Sequence, residues 1–467
     1  MVKTVWYIIF GIIIIGIIYW FICINQSKQI AQELPWQNVT LAPQDRILIL
    51  APHPDDEVLG CGGIIQKSIK LNLPLRIVFL TYGDSNQWSF MLYRKRPVVM
   101  PKSVEAMGLI RHDEAVAAAK ELGVSSEQLF FLGYPDFSTL NIWYSHWGDL
   151  PPAKSMLTEV EAVPYSNAFR PGALYKGDEI LQDLKTIIRE FKPTKIFLSH
   201  PGDHHPDHRA LYLFTTIALW DLHNELQATL FPYLIHYKKW PKPKGYFPDE
   251  LIEPPQFFQQ AITWQNNTLD NEEITTKFNA IKKHKSQYDS NHKYLLSFIR
   301  TNELFGDFPI INLKINTSGS FLTSDRQIDL TVFPEQLNTE ERTSFVGLEE
   351  RFVHLEDNNL MFSIKLSRPI AEAVGVSIYI FGYRQDRPFQ EMPKLHIKFG
   401  AIEHQVLNQS NILPIGVIKV VRDLKEIKIW IPLDLLGNPQ RILTSANTYL
   451  GTVPLDWVSW RILEIPN

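Results

Sequence analysis

Cysteine is almost missing from this chain: two residues among 467, Cys23 within an apolar N-terminal run and Cys61 within a Gly-Cys-Gly-Gly stretch. A disulfide framework is therefore excluded, and the cysteines do not report a redox compartment. An excess of positive charge is missing too. Lysine and arginine total 46 against 50 aspartates and glutamates, a formal net charge of -4. Nucleic acid, which calls for a basic excess or a basic stripe, is excluded as a partner on that balance. No internal repeat and no low-complexity segment occurs. What is present is an apolar content of 45% and an ordinary charge of 21%, enough over this length to fold two or three globular units.

Residues 5–24 are uncharged and rich in isoleucine, with Trp6, Tyr7, Tyr19 and Trp20 toward the two ends. About 20 apolar residues cross a bilayer core as a helix, and aromatic side chains favour its two interfaces. The run exceeds a signal peptide's apolar region, and no small-residue cleavage site follows Ile24. An uncleaved single-pass membrane anchor is therefore expected, after a short tail over 1–4. Lys3 and Lys28 flank it almost evenly, and the shortness of the tail favours a body outside the cytoplasm. Residues 25–44, polar and containing Pro35 and Pro43, read as a linker.

From Arg46 the pattern becomes α/β. Short apolar runs at 47–50, 75–81, 128–132 and 195–199, each bounded by turn residues, suit strands buried on both faces of a parallel sheet. Helical segments at 62–71, 109–122 and 178–191 alternate with them. The alternation predicts a doubly wound, mostly parallel sheet over 45–307, with ligands at the carboxyl ends of the strands, just after Leu50, Leu80, Leu132 and Leu198. Long stretches at 84–108 and 137–177, carrying Trp88, Tyr93, Trp143, Tyr144, Trp147 and Tyr165, read as functional loops lining the approach to the site. Past Phe308 the texture shifts to alternating runs at 328–332, 360–366, 376–381, 417–421 and 427–431. These predict an all-β, sandwich-like accessory module over 308–467 that packs on the first domain.

The strongest local signal is Pro52-His53-Pro54-Asp55-Asp56-Glu57, directly after the first expected strand. His53 and Asp56 are three residues apart and project to one side of a helical turn. An imidazole and a carboxylate so placed begin a zinc site, and Asp55 is left to accept a proton from water. The second cluster, running from His200 to His208, repeats the three-residue offset in His205 and His208. One of these completes a His-His-Asp set, and the other reaches the leaving group. A single histidine or aspartate at a strand end is usually a cap or a surface group. Two such clusters at the mouth of one α/β sheet point instead to a metal centre.

At these residues the sequence resembles the PIG-L family, also called LmbE-like, of zinc-dependent N-acetylglucosamine de-N-acetylases and related amidases. The likeness extends to Arg111 and Glu114, to Gly133-Tyr134-Pro135-Asp136 and to His284-Lys285-Ser286-Gln287, and covers roughly 46–305. It implies a Rossmann-like, LmbE-like domain with His53, Asp56 and His208 as metal ligands, Asp55 as general base, and His205 as the group that stabilises the oxyanion or protonates the amine. Arg111 and Asp136 are implied as contacts to substrate hydroxyl or phosphate. His284, Ser286 and Gln287 read as structural.

The expected reaction is removal of an N-acetyl group from an amino-sugar glycan, glycolipid or glycoside. Zinc is the expected ion, with Fe2+ or another divalent ion able to use the same donors. Two histidines and a carboxylate also describe non-haem iron oxygenases, but Asp55 and the additional histidines fit hydrolysis better. The rival readings are an amidase acting on a non-glycan or thiol-conjugate amide, and a membrane-tethered glycan-binding protein with a vestigial site. Retention of Asp55 and of both histidines speaks against the latter.

Overall fold

The computed structural model describes residues 36–85, 100–256, 258, 262–314, 320–321, 337–370, 373–451 and 453–466. Four strands arise where the apolar runs lie: β1 (Ile47–Ala51), β2 (Leu75–Thr81), β3 (Leu129–Tyr134) and β4 (Lys195–Ser199). β1 is buried along its whole length, as the unbroken run Ile-Leu-Ile-Leu-Ala requires of a strand covered on both faces. Three further strands, β5 (Thr229–Tyr233), β6 (Trp264–Thr268) and β7 (Asn302–Gly306), extend the sheet in the order β6-β7-β5-β4-β1-β2-β3. The pairs from β5 across to β3 are parallel, while β7 runs antiparallel to both β5 and β6.

Helix α1 (Asp56–Lys70) opens with Asp56 and Glu57 and closes with Lys67 and Lys70, charges that complement its dipole. It packs close to the sheet. A Cβ at Gly60 would lie 2.6 Å from the Tyr233 ring, whose hydroxyl donates to Leu50 O at 2.8 Å. The helix is also tied to β7 by Glu303, which accepts the Gly63 N–H at 2.7 Å and pairs with buried Lys277 at 2.7 Å.

Helix α2 (Pro101–Glu121) starts well before the expected Leu109. Proline at the first helical position is preorganised for it, and Val104 and Met107 are buried, so 101–108 belongs to the helix and not to a loop. The next expected loop contains helix α3 (Thr139–Ser145); Phe137 just before it stands 4.4 Å from the His205 ring, but the loop's tryptophans do not line an approach to the site. Trp143 and Trp147 are fully buried, and the Trp143 ring lies 5.4 Å from Phe389 and 5.7 Å from Trp460 of the terminal module. Tyr165 is buried and donates its hydroxyl hydrogen to Asp84. Large rings lose most exposed apolar area when a second domain covers them, and the β-module supplies that cover. Trp88 and Tyr93 lie outside the described residues, as does the expected strand at 328–332.

The terminal module is built of a 5-stranded and an 8-stranded sheet. In Glu426–Pro432 every second residue, Ile427, Ile429 and Ile431, is buried, the alternation of a strand with one covered face. Phe362 and Ile364 from the smaller sheet share one core with Ile378, Ile380 and Ile442 from the larger. Val39–Asn467 form one compact unit. No helix among the described residues is long and apolar enough to cross a membrane. The expected anchor over 5–24 lies outside them.

Candidate active site

Strand order reverses at β1 and β4, and such a switch point opens a crevice at the carboxyl ends of the two strands. Both sequence clusters emerge there. His53 occupies the turn between β1 and α1, where its Nδ1 lies 3.1 Å from Asp56 Oδ2. Its Nε2 faces Asp136 Oδ1 at 3.1 Å and Asp207 Oδ2 at 3.2 Å. His208, in the first turn of α4 (Pro206–Asp221), places Nε2 3.1 Å from that same Asp56 oxygen and Nδ1 3.1 Å from Asp203 Oδ2. Both His208 nitrogens are buried, and despite these distances neither has hydrogen-bond geometry.

The electrostatics follow from this crowding. Burial alone would keep the His208 imidazole neutral, but the Asp203 and Asp56 carboxylates outweigh it and raise its pKa to about 9. Burial likewise opposes charge on Asp56, and the His208 and His53 rings overcome it and hold the carboxyl well below its usual range. Carboxylates that attract protons this strongly also attract a cation. Donor atoms of His53, His205 and His208 lie within 4.8 Å of one another, as do those of Asp56, His208 and His236 and those of His53, Asp136, His205 and Asp207. Unpartnered imidazole nitrogens among buried carboxylates fit a divalent ion.

Residues 48–219 match the PIG-L family, described as GlcNAc-PI de-N-acetylase. That match spans both sequence clusters, from His53 to His208. Two curated relatives are both named 1D-myo-inositol 2-acetamido-2-deoxy-alpha-D-glucopyranoside deacetylase. The protein from Kribbella flavida is 26% identical over 182 residues, 38% of this chain and 54% of the relative. The one from Actinosynnema mirum is 27% identical over 183 residues, 39% of this chain and 57% of the relative. The chain thus spans little more than half the length of these relatives. Among solved structures, an N,N'-diacetylchitobiose deacetylase from Pyrococcus horikoshii is 20% identical and covers 56% of this chain and 82% of its own, with a TM-score of 0.34. That likeness is too distant to bear on function.

Within the matched residues Asp55 sits on a strained turn. Its backbone has φ 122°, a region that L side chains rarely adopt, and its N–H donates to Glu57 Oε2 at 2.8 Å. Burial pushes its carboxyl up to about 7, against the pull of the Arg111 charge. Glu57 is fixed in turn by His284 Nε2 at 3.0 Å, and Glu114 by the Ser286 N–H and hydroxyl, both at 2.7 Å. The 284–287 segment therefore buttresses the site from behind.

Arg111 is buried and donates to Pro54 O at 2.6 Å and Gly83 O at 2.7 Å, with its Nη2 3.4 Å from Asp55. In this structure it holds the 53–56 turn and does not project into open space. Gly83 makes room for it: φ is +63°, and a Cβ there would meet Arg111 Nη1 at 2.2 Å. Gly83→Ala is expected to cost about 1–2 kcal/mol from the left-handed backbone alone, read as a lower denaturant midpoint. An unchanged midpoint would show that the 83–85 turn relaxes freely. Asp136 is buried between the Ser85 N–H, which it accepts at 3.0 Å, and His53. As placed, it orients the imidazole.

His205 caps α4, its Nδ1 accepting the Asp207 N–H at 3.3 Å. Burial and the neighbouring His53 and His236 charges hold its pKa well below normal, so the ring is neutral and carries its proton on Nε2. Asp203 and Asp207 lie inside the second sequence cluster but have no role from spacing alone. Asp203 accepts the His205, Ile235 and His236 N–H groups at 2.8, 3.0 and 2.9 Å. Asp207 accepts those of Phe137 and Thr139 at 2.6 and 3.1 Å. His236 has no sequence signal: a lone histidine after an unrecognised strand, it reaches the site only because β5 pairs with β4.

Proposed function

We propose that this protein is a metal-dependent N-deacetylase that hydrolyses the acetamide of an N-acetylglucosamine-type glycoside or glycoconjugate. The observation that carries the reading is the placement of Asp55, a half-buried carboxylate on a strained turn, next to Asp56, whose Oδ2 lies 3.1 Å from both His53 Nδ1 and His208 Nε2. His53, Asp56 and His208 would hold the ion, zinc by default, which when bound lowers the pKa of water toward roughly 7 and polarises the acyl carbonyl. Asp55 takes the proton of the attacking water as the new C–O bond forms. His205, with its hydrogen on Nε2, donates to the oxygen that becomes negative. As the C–N bond breaks, Asp55 returns the proton to the departing amine, which leaves acetate and a free amino sugar. The Asp207 N–H holds His205 with Nδ1 as acceptor, and the Asp203 carboxylate stands 3.1 Å from His208 Nδ1. The named activity of the curated relatives, on an acetamido sugar linked to inositol, supports a glycoside with a polar group attached. Acetate release from N-acetylglucosamine and from its glycosides by the metal-loaded protein tests the reading, and no release from any of them overturns it.

The apolar run over 5–24 supports a membrane anchor with the body outside the cytoplasm. Expressed whole, the protein is expected to resist extraction by alkaline carbonate, and protease added to intact cells or spheroplasts should digest the body. Digestion only after lysis would place the body in the cytoplasm.

A further inference from the structure

The β-module reaches the rim of the active site through Trp457, at the end of the strand Val453–Trp457. Its ring lies 4.1 Å from the guanidinium carbon of Arg209 and 5.4 Å from the ring of His204. His204 and Arg209 bracket the segment that carries His205 and His208. Arg209 stands one helical turn beyond His205, so it leaves α4 on the same face as the N-cap imidazole.

A guanidinium so enclosed calls for an anionic partner. Among the described residues no carboxylate lies within ion-pair distance of it, Asp203 and Asp207 acting on its charge from farther off, and its Nε and His204 Nε2 are buried without hydrogen-bond partners. Stacking on the indole engages only the face of the guanidinium and occupies neither of its Nη groups, which can make a two-pronged contact. His204, Arg209 and Trp457 are all partly exposed to solvent.

We propose that Arg209, His204 and Trp457 form a subsite for an anionic group, carboxylate or phosphate, carried by the substrate beyond its acetamido sugar. The inference rests on the deacetylase reading for the identity of that sugar. Arginine matches both anions with paired hydrogen bonds, and His204, against the same indole, walls the subsite. Trp457 lies outside the PIG-L match at 48–219, so the β-module takes part in choosing which glycoconjugate is accepted.

The test is calorimetric titration of the metal-loaded full chain with inorganic phosphate and, separately, with succinate. At least one should bind saturably, and Arg209→Gln should weaken it by about 10-fold or more, the scale of a charged hydrogen-bonded pair. Arg209→Lys keeps the charge but not the planar fork and should lie between. Which anion binds distinguishes phosphate from carboxylate. Binding that survives in Arg209→Gln belongs to the metal centre and overturns the subsite, as does absence of binding by either anion. In kinetics, the ratio of kcat/KM for an anionic over an uncharged N-acetylglucosaminide should fall by the same factor in Arg209→Gln and in Trp457→Ala. A merely structural clamp would lower the thermal midpoint and leave that ratio unchanged. If the native protein releases no acetate from any sugar, the deacetylase reading fails while the anion titration still decides the subsite.

Discussion

Asp55→Asn is expected to retain bound metal and lose turnover by about 100-fold or more, the usual range for removal of a general base. The amide is almost the same size as the carboxylate, and the backbone contact that fixes the turn, Asp55 N–H to Glu57, does not involve the side chain. What is lost is the capacity to take a proton from water and return it to the amine. The Arg111 contact at 3.4 Å weakens as well, so a small drop in thermal midpoint is expected beside the kinetic effect. Elemental analysis and acetate release on the same sample separate the two. A rate near that of the unaltered protein, with metal bound, would show that another group is the base.

His208→Ala is expected to abolish both metal binding and activity while leaving the sheet folded. Its imidazole faces Asp56 and Asp203 at 3.1 Å each, and removing it strips the largest attraction that keeps Asp56 ionised. His53→Ala should act likewise. The parallel strands do not depend on either ring, since β1 and β4 are held by their own ladder and by apolar side chains on both faces. Circular dichroism close to that of the native protein, together with less than one metal ion per chain, is the outcome that fits. Undiminished metal in both variants would remove His53 and His208 from the ligand set.

The same residues explain how far reading the chain could go. The apolar runs of β1, β2 and β4 and the paired clusters behind β1 and β4 were legible because both signals are local. A strand buried on two faces must be apolar throughout, and a turn that feeds a helix sets side chains three residues apart on one side. β6 and β7 were not legible. Trp264–Thr268 is largely polar, and Asn302–Gly306 carries Glu303, whose charge is tolerable only because Lys277 and backbone N–H groups meet it. The start of α2 was misplaced because 101–108 lacks a clean apolar period, and only the buried Val104 and Met107 reveal what it packs on.

Sequence by itself determined the α/β core, the all-β texture of the terminal module, and the chemistry of the donors His53, Asp55, Asp56, His205 and His208, since each depends on residue type and short spacing. Tertiary structure alone decided which distant groups stand around those donors: Asp136 and Asp207 on His53, Asp203 behind His208, His236 beside it, and Arg111 against Asp55. It also turned Trp143 away from the site, burying it against Phe389 and Trp460, kept Phe137 against His205, and set Trp457 over Arg209. The reason is physical. Hydrogen bonds, ion pairs and ring contacts between residues far apart in the chain are fixed by strand order and domain packing, which no local period or motif encodes.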